Sequence, residues 1–132
     1  MTDQRMIIEM GMGNDLHGQD YQKAARRAIE DAMRHSTLPI FQSIGVDHQQ
    51  MRVQVTVGVQ KPDQLDLTAL AAALPRGRAT VTAVKGGLNI ANDETGETAI
   101  VATAAIEAFL PSQADNWRLR ESEGQAIGHP DM

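Results

Sequence analysis

The chain of 132 residues contains no cysteine. Disulfide bonds, thiolate nucleophiles and cysteine-ligated metal sites are therefore excluded, while the cellular compartment is left open. Aromatic residues make up only 3% of the chain, although 42% of its residues are hydrophobic. The core of a single domain of this length must therefore be built from Val, Ile, Leu, Met and Ala.

Two further absences concern partners and location. No stretch approaches the roughly 18 consecutive apolar residues of a membrane-spanning helix, and residues 1–11 lack the apolar region of a secretion signal. The net charge is −5, and Lys and Arg form no cluster that would neutralise a phosphate backbone. We therefore expect a soluble, cytoplasmic protein that binds neither membrane nor nucleic acid.

Hydrophobic periodicity predicts four strands and two helices. Residues 51–60 alternate strictly between apolar and polar, which indicates a strand with one apolar face. Residues 21–35 repeat apolar side chains at helical spacing, and Asp20 stands at the N-cap position. The alanines of 97–110 also permit a helix, but its Ile, Val, Thr and Phe residues favour a strand. The predicted strands are 5–10, 51–60, 79–85 and 97–110, and the predicted helices are 21–35 and 66–75.

The order β-α-β-α-β-β predicts an α/β fold, an α+β sandwich, with a four-stranded mixed sheet in one domain at 1–112. The first strand–helix–strand unit is expected to form a parallel crossover. Both helices are expected to cover one face of the sheet, which leaves the face with Gln54 and Thr56 open. We expect this open face to form a homotrimer interface. The polar residues 113–132 are expected to form a flexible tail.

The segment GMGNDLHGQD at 11–20 joins the first strand to the first helix. Backbone N–H groups and the helix dipole at such a junction favour an anion. A dinucleotide fingerprint would require glycine where Leu16 stands, so a nucleotide site is disfavoured. Lys23 lies in the first helical turn and either adds charge to a pocket or is simply exposed. The predicted ligand-binding residues of this junction are Gly13, Asn14, Asp15, Gly18, Asp20 and Lys23.

Two side chains are candidates for proton transfer. His17 could act as a general acid or base, or its ring could only bond the turn backbone. Lys85 precedes Gly86 and Gly87, glycines that would let a ligand approach closely; the alternative is an exposed lysine on a turn. We expect the two turns to face each other across a pocket, either within one subunit or across a subunit boundary. No second histidine lies at ligand spacing, so neither a metal nor a cofactor is expected.

The segments IIEMGMGNDLHGQDYQKAARRAI, VTVGVQKPDQLD, ALPRGRATVTAVKGG and AIVATAAIEAFL resemble a conserved-hypothetical bacterial family first named from a Listeria reading frame. The resemblance spans residues 5–110, and GMGNDLHGQD is its most specific part. That family has no established activity. The resemblance therefore implies a fold and a site more readily than a function.

A second, more distant resemblance is to one repeat of the ring-opening amidohydrolases, the cyanuric acid hydrolase and barbiturase group. Asp20, Tyr21 and Lys23 match the entry into the helix of such a repeat, and 85–87 reads Lys-Gly-Gly where that group has Ser-Gly-Gly. Its three-domain arrangement implies a homotrimer that binds a small carbonyl-rich or anionic molecule. Without the serine, the implied reaction is cyclic-amide hydrolysis assisted by His17 or the lysine of that turn. The alternative is a non-catalytic ligand-binding or structural homo-oligomer.

Overall fold

The structure is a computed structural model that describes residues 3–35, 50–74 and 78–111. Its elements are β1 (Asp3–Asp15), α1 (Tyr21–Arg34), β2 (Arg52–Val59), a 3₁₀ turn (Pro62–Gln64), α2 (Leu67–Ala72), β3 (Arg78–Lys85), β4 (Leu88–Ala91) and β5 (Thr98–Pro111). The predicted α/β class and the predicted elements are confirmed, and the short strand β4 is additional. The predicted flexible tail lies outside the described residues. Neither described helix is long and apolar enough to cross a bilayer.

One mixed sheet contains all five strands. Its order is β1-β5-β2-β3, and β4 also pairs with β5. β5 runs antiparallel to β1 and to β2, and β2 runs parallel to β3. It follows that β1, β2 and β3 point in one direction and end at the same edge of the sheet. In the first strand–helix–strand unit, β1 and β2 run in the same direction, as the expected parallel crossover requires, and β5 lies between them.

Between β3 and β4 the chain crosses from the far side of β2 to a position beside β5. There β4 pairs with the part of β5 that lies beyond the end of β2. Gly58 of β2 is paired with Thr103 of β5, and Leu88 of β4 is paired with Val101, two residues earlier in β5. Gly87 makes this step with a φ of 65°, and a Cβ there would lie 2.1 Å from the Val101 carbonyl oxygen. Only glycine fits both the backbone conformation and the close approach.

Helix α1 packs directly on β1 through small residues. A Cβ on Gly11 or Gly13 would lie 2.3 Å from a backbone nitrogen of α1. The facing residues of the helix are Ala24, Ala28 and Ala32, which are fully buried. The strand predicted at 5–10 therefore extends to Asp15, because these two glycines admit the helix rather than turn the chain.

The core lies between the two helices and one face of the sheet. Alternate residues of β2 and β5 point into it, as period-two alternation requires. The buried faces of α1 and α2 contribute the remaining side chains on the opposite side of this core. The core residues with the largest fully buried side chains are Val55, Val57, Val59, Ile100 and Leu110.

The other face of the sheet carries no element within the described residues. Six large apolar side chains on this face are 40% to 66% exposed; they are Ile8, Met10, Met12, Val84, Leu88 and Ile90. At the end of this face where β1 and β2 begin, the Arg52 guanidinium bonds the Asp3 carboxylate at 2.9 Å. The same guanidinium lies 4.0 Å from the centre of the Phe109 ring. We call the whole surface the open face. The trimer interface expected on it stays a prediction.

Candidate functional site

The turn between β1 and α1 binds a carboxylate from its own chain. Oδ2 of Asp15 accepts a hydrogen bond of 2.8 Å from the backbone N–H of Asp20, and the N–H of Gly18 also donates to this carboxylate. Asp15 is only 5% exposed. The Asp20 hydrogen bond, with the charges of Lys23 and Arg27 and the Gly18 bond, outweighs desolvation and lowers the pKa of Asp15.

The remaining predicted ligand residues of the junction also have partners within the protein. Oδ1 of Asp20 caps α1 by accepting the backbone N–H of Lys23 at 3.0 Å. The Asn14 carbonyl accepts a 2.7 Å hydrogen bond from Arg27, and Gly13 is buried against the helix. The structure thus brings the predicted residues together. The anion that the backbone N–H groups of Gly18 and Asp20 bind is the Asp15 carboxylate.

His17 stands at the exposed tip of this turn and pairs with Glu97. Its Nδ1 lies 2.8 Å from Oε2 of Glu97, with side-chain exposures of 82% and 49%. A carboxylate on Nδ1 orients the ring and leaves Nε2 available for proton transfer. Sequence reasoning found the histidine but missed its partner, because Glu97 follows 80 residues later and only the fold joins them.

An open cleft of about 850 Å³ lies between this turn and the hairpin formed by β4 and β5. Leu16, Ile90 and Ala99 form an apolar wall, whereas the hairpin tip contributes carboxylates. The volume suits a small molecule. The residues that line the cleft are Leu16, His17, Ile90, Ala91, Asn92, Asp93, Glu94, Thr95, Glu97 and Ala99.

One hydrogen bond ties the hairpin to α1, and others shape the tip of the hairpin. The amide Nδ2 of Asn89 in β4 donates to the Tyr21 hydroxyl of α1 at 2.6 Å. In the hairpin tip, Oδ1 of Asn92 accepts the backbone N–H of Glu94 at 2.9 Å, and the N–H of Gly96 donates to the Asn92 carbonyl. One side of the cleft is therefore formed by a strand pair that is bonded to the first residue of α1.

The Lys-Gly-Gly turn occupies a different place. Lys85 is exposed at the end of β3 and, by its register with Val59, belongs to the helix side of the sheet. Gly86 donates its N–H to the Val59 carbonyl at 2.9 Å, and Gly87 makes the step into β4. None of the three lines the cleft beside His17. A pocket that joins Lys85 to His17 across a subunit boundary stays a prediction.

No metal centre is evident in residues 3–35, 50–74 and 78–111. No three side chains of His, Cys, Asp or Glu in these ranges are grouped so that they could hold an ion. His17 and Glu97 form a pair that can supply hydrogen bonding and proton transfer at the cleft.

Comparison with known proteins places the chain in a family. A family model described as "Conserved hypothetical protein" of the Lin0512 family matches residues 5–108. The chain belongs to this family. Its predicted membership is confirmed, and the Lin0512 family is one of unknown function. No curated protein matches the chain.

A solved structure shares the fold. It is the crystal structure of an FtsZ-like protein of unknown function from Nostoc punctiforme, and it is 35% identical to this Lin0512 family member. The similarity covers 85% of this chain and 99% of the Nostoc chain, with a TM-score of 0.73. Neither match bears on the resemblance to the ring-opening amidohydrolases.

Proposed function

We propose that this protein is a homotrimer, or a multiple of three, with a small-molecule site beside His17 at the subunit interface. The observation that carries the proposal is the continuity between the open face and the cleft. Leu88 and Ile90 are both more than half exposed on the open face, and Ile90 also forms part of the cleft wall. Exposed apolar patches of this kind mark association surfaces, and a subunit that covers this patch would also narrow the cleft.

The lining of the cleft favours a neutral, carbonyl-rich ligand over an anionic one. Asp93, Glu94 and Glu97 all lie at the cleft and repel anions. The N–H groups of the neighbouring turn, which would otherwise attract an anion, already bind Asp15. The apolar wall suits a flat ring, and the His17 ring supplies a hydrogen-bonding and proton-transfer group.

The candidate reaction is hydrolysis of a cyclic amide. In this scheme Nε2 of His17 takes a proton from water as the water oxygen attacks the ring carbonyl carbon. Glu97 stabilises the imidazolium that forms. The ring C–N bond then breaks, and the departing nitrogen takes the proton back from His17. The products are a carboxylic acid and an amine-type nitrogen on one opened chain, so atoms and charge balance.

A second candidate is a ligand-binding or structural homo-oligomer without catalysis. The observation in its favour is the 82% exposure of the His17 side chain, because a proton-transfer group usually lies in a more enclosed site. Lys85, the other proposed proton-transfer residue, does not line the cleft within one subunit.

The assembly is tested by the mass of the protein in solution. We expect light scattering and native mass spectrometry to show a trimer or a multiple of three, and Leu88→Lys to lower that mass. Thr68→Lys, an exposed change on α2, is the matched control and should leave the mass unchanged. A wild-type monomer at micromolar concentration contradicts the assembly.

The site is tested with cyclic imides and ureides against simple carboxylates of similar size. We expect only the cyclic compounds to raise the melting temperature, and Glu94→Gln to leave that shift in place. If hydrolysis occurs, His17→Asn should reduce its rate by about 100-fold or more. Binding without turnover supports the second candidate, and the absence of any binding contradicts the ligand site.

A further inference from the structure

The inference concerns the outer edge of β1. This strand of 13 residues ends the sheet on one side, and the outer edge of a terminal strand can pair with a strand of another molecule. In the antiparallel ladder with β5, alternate residues of β1 direct their backbone N–H and C=O groups away from the sheet. Met10, Met12 and Asn14 belong to this outward set.

Two side chains of α1 bind backbone groups on that edge. Oδ2 of Asp31 accepts the N–H of Met12 at 2.9 Å, and Nη1 of Arg27 donates to the Asn14 carbonyl at 2.7 Å. Arg27 and Asp31 are four residues apart, so they project from the same side of the helix. The N–H of Met12 and the carbonyl of Asn14 are therefore occupied by side chains of the same subunit.

The close packing of α1 explains why these side chains reach the edge. Gly11 and Gly13 let the helix backbone lie against β1, and from that distance a carboxylate and a guanidinium extend around the strand. Asp31 is also fixed by Arg34, whose Nη2 lies 3.2 Å from Oδ1. The Met12 hydrogen bond is the largest cause that lowers the pKa of Asp31, so the carboxylate is charged and a strong acceptor near neutral pH.

We infer that Asp31 and Arg27 block the outer edge of β1, so that β1 of a second copy cannot pair with it. Self-association is thereby directed away from the strand edge and toward the open face. The exposed apolar side chains of β1 make this protection necessary, because Met10 and Met12 beside an unprotected edge would favour sheet extension. The inference does not depend on the ligand cleft or on the number of subunits.

The first experiment removes both blocking side chains. Arg27→Ala with Asp31→Ala is compared with Arg26→Ala with Glu30→Ala, which removes the same two charges from neighbouring positions of α1. Both pairs are placed in the Leu88→Lys background, which under the proposed function weakens association through the open face. We expect light scattering to show at least a doubling of mass with concentration for the first pair only. Equal masses for the two folded variants would overturn the inference.

The second experiment measures amide hydrogen exchange at Met12. The Asp31→Ala variant should exchange this amide roughly tenfold or more faster than the wild type, since a hydrogen bond to a charged acceptor is lost. Glu30→Ala should leave its rate unchanged. Should the double variant fail to fold, Arg27→Ala alone frees the Asn14 carbonyl and is examined for the same mass increase. An unchanged Met12 rate in Asp31→Ala, or an unchanged mass in folded Arg27→Ala, contradicts the blocking role.

The outcome separates this inference from the proposed assembly. A wild-type monomer whose mass rises only when Arg27 and Asp31 are removed would sustain the edge inference and contradict the trimer. A trimer that dissociates with Leu88→Lys, and whose mass does not change when Arg27 and Asp31 are removed, would support the trimer and contradict the edge inference.

Discussion

The two faces of the sheet are made by the same strands and differ in what covers them. On the helix side, β1 presents Gly11 and Gly13 to the alanines of α1. On the open face, the residues between and beside them are Met10 and Met12, which are 66% and 57% exposed. At these four positions of β1, neither face carries a polar side chain. The comparison shows that side-chain size, more than hydrophobicity, distinguishes the face that a helix covers, because only small residues admit the helix backbone.

The largest expected effect on the free energy of unfolding is the difference between the same isoleucine-to-alanine change on the two faces. Ile100 is 1% exposed and Ile90 is 56% exposed. Ile100→Ala should lower the free energy of unfolding by about 2–5 kcal/mol, because it leaves a cavity, while Ile90→Ala should change it by only about 0.5 kcal/mol. Urea denaturation at concentrations where the protein is dissociated measures both values. Equal losses would mean that the open face is covered within the subunit.

The next effect concerns the close approach of α1. Gly13→Ala places a methyl group 2.3 Å from the backbone of Ala28, and the helix must move to relieve this contact. We expect a loss of about 1–3 kcal/mol in the free energy of unfolding. Met12→Ala, the adjacent change on the open face, is the control and should cost less. Thermal and urea unfolding that rank Met12→Ala as the more damaging change would contradict this account of the packing.

The comparison extends to charges, since Asp15 is buried at the end of β1 and Asp93 is exposed at the cleft. Because folding lowers the pKa of Asp15, its contribution is present above the ordinary aspartate pKa of about 3.9 and is lost as the pH falls through the folded value. Asp15→Asn should therefore reduce the acid-side slope of stability against pH, and Asp93→Asn should not. Urea unfolding between about pH 2 and pH 5 measures both slopes, and equal slopes would contradict the role of Asp15 as the internal anion.

The smallest effect on the free energy of unfolding is expected in the turn that joins β1 to α1. Gln19 has a φ of 52°, a left-handed conformation that costs a non-glycine residue energy. Gln19→Gly should raise the free energy of unfolding by about 0.5 kcal/mol, whereas Arg26→Gly, at an exposed position within α1, should lower it by about 1 kcal/mol. Denaturant titration compares the two, and destabilisation by both would show that the Gln19 side chain matters more than its backbone.

The structural elements were largely predictable, and the exceptions share a physical cause. β4 was missed because four residues, Leu88–Ala91, contain too short a pattern to identify a strand. They become a strand because the end of β2 leaves part of β5 without a partner on that side. From the sequence, Gly11 and Gly13 look like part of a turn. Sequence alone does not distinguish a glycine that lets a helix pack closely from a glycine that reverses the chain.

The candidate site was predictable only in part. The turn at 16–20 was found from its glycine, its cap residue and its histidine, which are local features. Glu97 could not be assigned to His17, because their contact depends on how the hairpin packs against the turn. Asp15 was expected to contact a ligand. Its alternation within β1 places it on the helix side, where the turn N–H groups reach its carboxylate.

By itself, the sequence determined the periodic elements, the α/β class and the exclusion of cysteine chemistry. These properties are local or compositional: backbone geometry imposes the periods of helices and strands, and the cap of α1 lies beside the helix that it begins. Only the tertiary structure decided that β5 lies between β1 and β2, which face stays open, and that Asp15 fills the turn. Such choices depend on packing and pairing between distant segments, whose free energies no short stretch of residues contains.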